Sequence, residues 1–205
     1  MKTSVYIDGF NLYYGALRDT PFKWLDLLAL CRRVLPNDEI ASIKYFSARL
    51  TARPGDPGQP MRQETYWRAL RTISCLRIIE GRFLTKPIRM PLADIDPTRT
   101  VKVIKTEEKG SDVNLAVHLV HDAHKSDFEL AVVISNDSDL LEAIRIVQSE
   151  LSLPVGIINP YPKPSVVLES EAFFVKNIRR NQLRSSQFPP ILTDLTGTFH
   201  KPANW

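Results

Sequence analysis

In the stretch Val5-Tyr6-Ile7-Asp8-Gly9-Phe10-Asn11, a short apolar run is followed by an acid, a glycine, an aromatic residue and an amide. A second apolar run, Ala131-Val132-Val133-Ile134, is followed in the same way by Ser135-Asn136-Asp137-Ser138-Asp139. Apolar runs without alternation are typical of strands that are covered on both faces, as in a parallel sheet. Because parallel sheets bind ligands at the carboxyl ends of their strands, both acidic stretches are predicted to lie at a ligand-binding edge.

The rest of the chain alternates between strand and helix patterns. Strands are predicted at 4–8, 42–50, 76–84, 101–105, 130–135 and 153–159, and helices at 24–35, 61–73, 111–124 and 137–151. This order predicts an α/β fold with a parallel sheet. The proline-containing segments 51–60 and 86–97 are expected to be loops. Residues 185–205 contain further prolines and no periodicity, and are interpreted as a tail beside a domain at 1–184.

Length and composition are typical of one globular domain. With 205 residues and 43% hydrophobic content, the chain can bury one sizeable core. No apolar run approaches membrane-spanning length, and the run before Asp8 is too short for a signal peptide, so we expect a cytoplasmic protein. Cys31 and Cys75 lack metal-ligand spacing and are expected to be free thiols. The net charge of +4 suits a polyanionic partner without identifying one.

A third acidic segment, Lys109-Gly110-Ser111-Asp112, opens the predicted helix at 111–124, and each acid of the three segments has two interpretations. Asp112 and Asp137 stand at predicted helix starts, where carboxylates cap free N–H groups. Asp8, however, follows a buried strand directly and would be costly to keep from water without a partner. Asp137 and Asp139 repel each other unless a cation or hydrogen-bond donors compensate. Because three segments distant in sequence are predicted to reach one edge of the sheet, the pattern favours a shared Mg²⁺ or Mn²⁺ site over separate caps.

Three motifs together resemble the signature of the NYN domain, a branch of the PIN-like nucleases. They are Tyr6-Ile7-Asp8-Gly9-Phe10-Asn11, Lys109-Gly110-Ser111-Asp112-Val113 and Ser135-Asn136-Asp137-Ser138-Asp139. The resemblance covers about residues 1–160. It implies a Rossmann-like, three-layer α/β/α fold with a mainly parallel sheet, whose acids hold Mg²⁺ or Mn²⁺ and whose usual substrate is RNA.

The resemblance also implies roles for single residues. Asp8, Asp112 and Asp137 correspond to the metal-binding acids, Asp139 to a supporting acid, and Asn11 and Ser135 to polar residues that orient substrate or water. One position departs from the pattern, because His118 stands where similar sequences often have an acid. This departure puts a second metal ion in doubt. The implied reaction is hydrolysis by an activated water, which leaves a 5′-phosphate and a 3′-hydroxyl.

Basic side chains near these motifs are candidates for RNA contact. Several arginines fall together with Tyr66 and Trp67, namely Arg49, Arg53, Arg62, Arg68 and Arg71. Arginine beside exposed aromatic rings neutralises phosphates and stacks on bases, although a solvated helix face with Trp67 in the core explains the pattern equally well. Lys102, Lys105 and Lys109 lead into Asp112. The residues we single out for RNA binding are Lys105, Lys109, Arg49 and Arg62.

Two functions compete on these observations. The first is a metal-dependent endoribonuclease, which the intact acids favour. The second is a catalytically weak RNA-binding or scaffolding module on the same fold. A phosphatase or nucleotide-binding domain is disfavoured, since neither a phosphate-cradling glycine loop nor a dinucleotide fingerprint is present. The sequence does not specify the RNA target or the oligomeric state, and a homodimer is compatible with it.

Overall fold

The computed structural model describes residues 1–52, 55–93, 99–203 and 205. The strands of its main sheet are β1 (Lys2–Asp8), β2 (Glu39–Ala48), β3 (Leu76–Pro91), β4 (Thr100–Lys109), β5 (Leu130–Ile134), β6 (Val155–Asn159) and β7 (Phe174–Asn177). They form a seven-stranded sheet in the order β4-β3-β2-β1-β5-β6-β7. Every neighbouring pair is parallel except β3 and β4, which are antiparallel. The predicted, mainly parallel sheet is therefore confirmed.

Helices cover both faces of this sheet. They are α1 (Gly9–Leu12), α2 (Leu27–Val34), α3 (Gln59–Leu70), α4 (Ser111–His124), α5 (Leu141–Arg145), α6 (Val166–Glu171) and α7 (Arg180–Ser185). Val5 and Ile7 of β1 pack in one apolar core with α2 and α3, whereas Tyr6 packs on the other face with α4 and α5. The three-layer α/β/α architecture follows from this alternation. No helix in the described part of the chain is long and apolar enough to cross a membrane.

The direction in which the chain adds strands to the sheet changes at β1. β2 and β3 follow on one side of β1, while β5, β6 and β7 follow on the other. In open α/β sheets, this point leaves a crevice outside the carboxyl ends of the two central strands, where ligands bind. Asp8 ends β1, and Asp137 comes three residues after the end of β5. The topology therefore places both acids at the crevice.

β3 and β4 are longer than the sequence predicts. β3 pairs with β2 as far as Gly81 and then with β4 alone, from Arg82 to Pro91. The expectation of a loop at 86–97 is wrong for residues 86–91, because proline is tolerated on a strand whose second edge has no partner. The part of that loop at 94–98, like Arg53 and Pro54 of the loop at 51–60, lies outside the described residues. We call residues 82–91 and 100–109 the ribbon.

The end of the chain folds back onto the main core. It forms a hairpin of β8 (Ile191–Asp194) and β9 (Gly197–His200), so the expected irregular tail is wrong for these residues. Phe188 and Phe199 are buried in the same core as α2 and α3. The Trp24 indole N–H donates to the carbonyl oxygen of Pro189 at 2.8 Å. The division of the chain at residue 184 stays a prediction.

One predicted helix is less regular than expected. Residues 137–151 form a 3₁₀ turn at Ser138–Leu140, then α5, then a π turn at Ile146–Glu150. A π turn also continues α1 through Tyr13–Leu17. Both departures lie on segments that follow an acid at the crevice, and such irregular turns occur frequently at functional sites.

Candidate active site

Asp8 is the most buried acid of the crevice. Only 2% of its surface is exposed, and its carboxylate caps α1 by accepting hydrogen bonds from the Asn11 backbone N–H at 2.9 Å and the Asn11 side-chain amide at 2.8 Å. The Ser135 hydroxyl donates a third bond at 3.1 Å. Burial raises the pKa of Asp8, while these hydrogen bonds act in the opposite direction. The sequence-predicted residues Asn11 and Ser135 are therefore direct partners of Asp8.

The glycine after Asp8 allows β2 to approach the start of α1. A Cβ atom on Gly9 would lie 2.6 Å from the Tyr45 hydroxyl and 2.8 Å from the Phe46 carbonyl oxygen. Both distances are too short for non-bonded atoms, so a side chain at this position would push the two elements apart. The sharp turn that presents Asp8 to the crevice thus depends on a residue without a side chain.

The same two polar residues also hold the loop that carries Asp137. The Ser135 hydroxyl accepts from the Asp137 backbone N–H at 3.1 Å, and the Asn11 side-chain oxygen accepts from the Asn136 backbone N–H at 3.2 Å. Asp137 in turn accepts from the Asp139 backbone N–H at 3.0 Å and caps the 3₁₀ turn. The capping interpretation of Asp137 is confirmed, and its cap leaves the residue beside the crevice.

Asp112 reaches the crevice from α4. Gly110 precedes the helix with a φ of 98°, which only glycine adopts without strain, and this conformation turns the chain sharply from β4 into α4. Glu108 accepts from the Ser111 backbone N–H at 3.1 Å and from its hydroxyl at 2.8 Å. Burial raises the pKa of Asp112 to about 6, with further contributions from Asp8, Asp137, Glu108 and Asp139. The carboxylates therefore lie close enough to repel one another.

These acids line one cavity of about 320 Å³. Asp8, Asp112 and Asp137 face it together with Asn11, as the sequence predicts, and Glu108 faces it as well. Sequence reasoning missed Glu108 because it ended the strand at residue 105, four residues before β4 ends. Two predicted site residues lie outside the lining, since Asp139 is exposed beside the cavity and Ser135 is buried beneath Asp8.

The donor chemistry of the cavity suits a hard divalent cation. Its acids offer carboxylate oxygens, which Mg²⁺ and Mn²⁺ prefer, and a cation would relieve the repulsion that raises the pKa of Asp112. Within the described residues, no group of three or more His, Cys, Asp or Glu side chains is arranged to hold a metal ion. The cavity residues thus have the donor chemistry that such an ion needs, but their carboxylates would have to move closer together to bind it.

Comparison with known proteins identifies the family. The family model of the NYN domain matches residues 2–176. The chain belongs to the NYN domain family. Members of this family are generally nucleases with a PIN-like fold. A crystal structure of a protein of unknown function from Vibrio parahaemolyticus has the same fold, with a TM-score of 0.57 and 17% identity, over 88% of this chain and 94% of that one.

One relative of this NYN protein is named as a monooxygenase and not as a nuclease. It is the 6-hydroxy-3-succinoylpyridine 3-monooxygenase HspA of Pseudomonas putida, which is 31% identical over 238 residues. The match covers 100% of this chain and 75% of that protein. The similarity therefore extends beyond residue 176, where the NYN match ends, to the whole of this chain.

The ribbon of the NYN domain carries an unusual concentration of positive charge. Basic residues of β3 stand directly opposite basic residues of β4 in three pairs, Arg82 with Lys109, Lys86 with Lys105 and Arg89 with Lys102. Like charges directly opposite one another destabilise a sheet, so this arrangement suits a polyanion that binds across the pairs. Glu107 offsets part of the charge, since it pairs with Lys105 and, at 3.2 Å, with Lys109. The base of the ribbon lines the acidic cavity through Phe83, Thr106 and Glu108.

The predicted arginine cluster is engaged in ion pairs within the NYN protein. Arg49 bonds to Glu64 and Glu80 at 2.7 Å each, and Arg62 pairs with Asp56. Arg68 and Arg71 bind Asp194 and Glu64 respectively. Trp67 and Tyr66 are buried, which confirms the interpretation that placed Trp67 in the core. RNA contact by Arg49 and Arg62 stays a prediction, whereas Arg53 lies outside the described residues.

His118 belongs to a different polar network of the NYN domain. Its Nδ1 atom lies 3.3 Å from the Lys44 ammonium, which binds Asp122 at 2.5 Å, and Tyr6 donates to the same carboxylate at 2.7 Å. Burial and then the charge of Lys44 lower the pKa of His118. These contacts join α4 to β1 and β2, so His118 helps to position the helix that carries Asp112.

Proposed function

We propose that this protein is a ribonuclease that hydrolyses phosphodiester bonds with the help of Mg²⁺ or Mn²⁺. The observation that carries the proposal is the convergence of Asp8, Asp112, Asp137 and Glu108 on one cavity at the carboxyl ends of the central strands. Membership of a generally nucleolytic family supports the same activity. The order of strands and the donor chemistry are independent of that membership and lead to the same site.

Each residue has a distinct part in this proposal. Asp8, Asp112 and Asp137 would hold the ion through carboxylate oxygens, and Asp139 would orient water from the rim. When bound, the ion polarises the scissile phosphate and lowers the pKa of the attacking water. Asn11 and Ser135 keep the Asp8 carboxylate and the Asp137 loop in fixed positions through the hydrogen bonds described above.

The ribbon supports RNA as the substrate. Its basic pairs attract phosphates, and its base opens directly into the acidic cavity, so a strand bound along the ribbon is led to the acids. We propose that Lys105 and Lys109 contact phosphates nearest the cavity. Arg49 and Arg62 are held in ion pairs, and would bind RNA only by exchanging their present carboxylate partners.

Incubation of the purified protein with labelled single-stranded and structured RNA tests the proposal. The assay is run with Mg²⁺, with Mn²⁺ and with EDTA, for the native chain and for Asp8→Asn, Asp112→Asn and Asp137→Asn. Asp127→Asn is the matched control, because this exposed acid follows the opposite end of α4. Metal-dependent cleavage that these three variants lose and the control keeps supports the nuclease. RNA binding without cleavage in any metal would instead support the RNA-binding module.

A second candidate function is oxidation of a small heteroaromatic compound. A relative that matches the whole chain is named as a monooxygenase of a hydroxylated pyridine, and this observation favours the candidate. Such a reaction places one oxygen atom of dioxygen on the ring, while a two-electron donor reduces the other to water. Oxygen consumption that depends on both a hydroxypyridine and reduced nicotinamide or flavin supports this candidate. No oxygen consumption with either donor contradicts it.

A further inference from the structure

A second cavity, of about 420 Å³, lies beside the acidic one. Its walls come from α1 and the following π turn, from β2, from α3 and from Trp205. Aromatic side chains form seven of its seventeen lining residues, namely Phe10, Tyr13, Tyr14, Tyr45, Tyr66, Trp67 and Trp205. Aromatic walls favour flat ligands, because planar rings stack on them face to face or pack against their edges. We call this space the aromatic cavity.

The aromatic cavity and the acidic cavity adjoin each other. Phe10, Tyr14, Leu50 and Gln59 line both of them. Phe10 is two residues from Asp8 and packs edge-on against Phe83 of the ribbon, with ring centroids 5.7 Å apart. A ligand with one group at the acids can therefore place a neighbouring ring in the aromatic cavity.

Polar and charged side chains also line the aromatic cavity, and some of them are already engaged, as in the ion pair of Arg62 with Asp56. They are Lys23, Ser47, Asp56, Gln59, Arg62 and Gln63. Gln63 donates to the Ala48 carbonyl oxygen and accepts from the Leu50 N–H, so it fixes the wall. The side-chain oxygen of Gln59 has no hydrogen-bond partner among the residues that the structure describes. Burial raises the pKa of Tyr45, whose hydroxyl therefore remains a donor. An amide and a phenol offer both kinds of hydrogen bond to the edge of a ring.

We propose that the aromatic cavity binds a planar heteroaromatic ring that presents a hydrogen-bond donor and an acceptor on one edge. The base of an RNA nucleotide has this chemistry, as does a free hydroxypyridine in its lactam form. The position beside the acids favours the nucleobase that flanks the scissile phosphate, and this assignment rests on the proposed ribonuclease function. The cavity then selects which base flanks the cleaved bond.

Calorimetric titration in EDTA tests the inference without requiring cleavage. The ligands are uridine 5′-monophosphate, guanosine 5′-monophosphate and 6-hydroxypyridine-3-carboxylate, and the proteins are the native chain, Tyr14→Ala and Gln59→Ala. Phe173→Ala is the control, because this exposed ring lies at the other end of the sheet beside β7. We expect Tyr14→Ala to weaken binding about tenfold, as for one lost stacking contact, and Phe173→Ala to leave it unchanged.

The pattern of binding separates the two sources of the ring. Binding of a nucleotide but not of the pyridine assigns the cavity to RNA bases, and the reverse assigns it to a free ring. Binding of none of the three, or binding that neither substitution changes, overturns the inference. Metal-dependent cleavage by the native chain, lost in Asp112→Asn, is measured separately, so a ribonuclease without this base pocket is distinguishable from a protein that is not a ribonuclease.

Discussion

Asp112 lies in surroundings that oppose its negative charge. Its pKa rises from 3.8 to about 6, first because the side chain is half-buried and then because other acids surround it. A carboxyl group whose pKa is higher in the folded than in the unfolded state favours folding when protonated. This contribution is fully present below about pH 3.8 and is lost as the pH rises through about 6. At neutral pH without metal, the ionised Asp112 therefore destabilises the fold.

Replacement of Asp112 by Asn should stabilise the metal-free protein while it abolishes cleavage. After allowance for solvent screening of this half-buried group, we expect a gain of about 1 kcal/mol near neutral pH, or about 2–4 °C in the thermal midpoint. The gain should vanish near pH 4. Thermal denaturation in EDTA at several pH values measures it, with Asp127→Asn as the control. A midpoint that falls in Asp112→Asn at neutral pH would contradict the electrostatic explanation.

Gly81 is expected to matter for catalysis because it makes room for Glu108. A Cβ atom on Gly81 would lie 2.5 Å from a Glu108 carboxylate oxygen and 2.9 Å from the Ser111 hydroxyl. Gly81→Ala should therefore displace Glu108 and the start of α4, and lower the cleavage rate about ten- to a hundredfold. Gly55→Ala is the matched control, since a Cβ atom there meets nothing within 4 Å. Equal RNA cleavage rates in Gly81→Ala and Gly55→Ala would contradict this prediction.

At the residue scale, the sequence predicts three of the four acids that line the cavity. Asp8 and Asp137 are recognisable because each follows an apolar strand, and Asp112 because it opens a helix. Glu108 is not recognisable in this way, since its position depends on how far β4 extends. The pairing of Asn11 with both the Asp8 carboxylate and the Asn136 N–H also depends on the adjacency of β1 and β5, which no local pattern specifies.

At the scale of elements, the ribbon is the feature that the sequence pattern does not predict. Pro87 and Pro91 interrupt the strand pattern and therefore predict a loop. They occur in β3 because this strand has a partner on one side only beyond Gly81. The cross-strand pairing of basic residues follows from register, which the sequence does not fix without the hairpin geometry.

The ribbon should account for much of the salt dependence of RNA binding. Removal of two charges in Lys86→Gln/Arg89→Gln should weaken binding and reduce the slope of log affinity against log salt by about 1.4, at roughly 0.7 for each phosphate contact to a single strand. Filter binding or fluorescence anisotropy over a range of salt concentrations measures the slope. Lys125→Gln, an exposed lysine just after α4, should leave the slope unchanged. Equal slopes in all three proteins would exclude the ribbon as a phosphate-binding element.

At the scale of the whole molecule, the protein extends its core beyond the family match. The NYN match ends at residue 176, yet Phe188 and Phe199 are buried with the central strands. Arg68 of α3 binds the Asp194 carboxylate through two nitrogens at 2.7 and 2.8 Å, which fastens the C-terminal hairpin to the domain. Residues 185–205 lack hydrophobic periodicity because single aromatic rings make their core contacts, and not the regularly spaced side chains of one helix or strand face.

Loss of the buried Phe188 ring from the C-terminal segment should destabilise the whole domain. Phe188 is 7% exposed and packs 5.8 Å from the Trp24 ring centroid, so Phe188→Ala should lower the free energy of unfolding by about 3 kcal/mol. Phe173→Ala removes a ring that is 66% exposed and should change it little. Urea denaturation followed by tryptophan fluorescence compares the two variants. Similar midpoints for both would mean that the C-terminal segment is a loosely attached tail after all.

The position of β4 has a consequence for how the protein behaves when concentrated. β4 is the outermost strand of the seven-stranded sheet, so one row of its backbone groups has no neighbouring strand among the residues that the structure describes. Such an edge can template the addition of a strand from another copy and so begin aggregation. Lys102, Lys105 and Lys109 recur along β4, and charged side chains on an edge strand oppose the addition of a further strand. The lysines that suit a polyanion therefore also protect the open edge of the sheet from self-association.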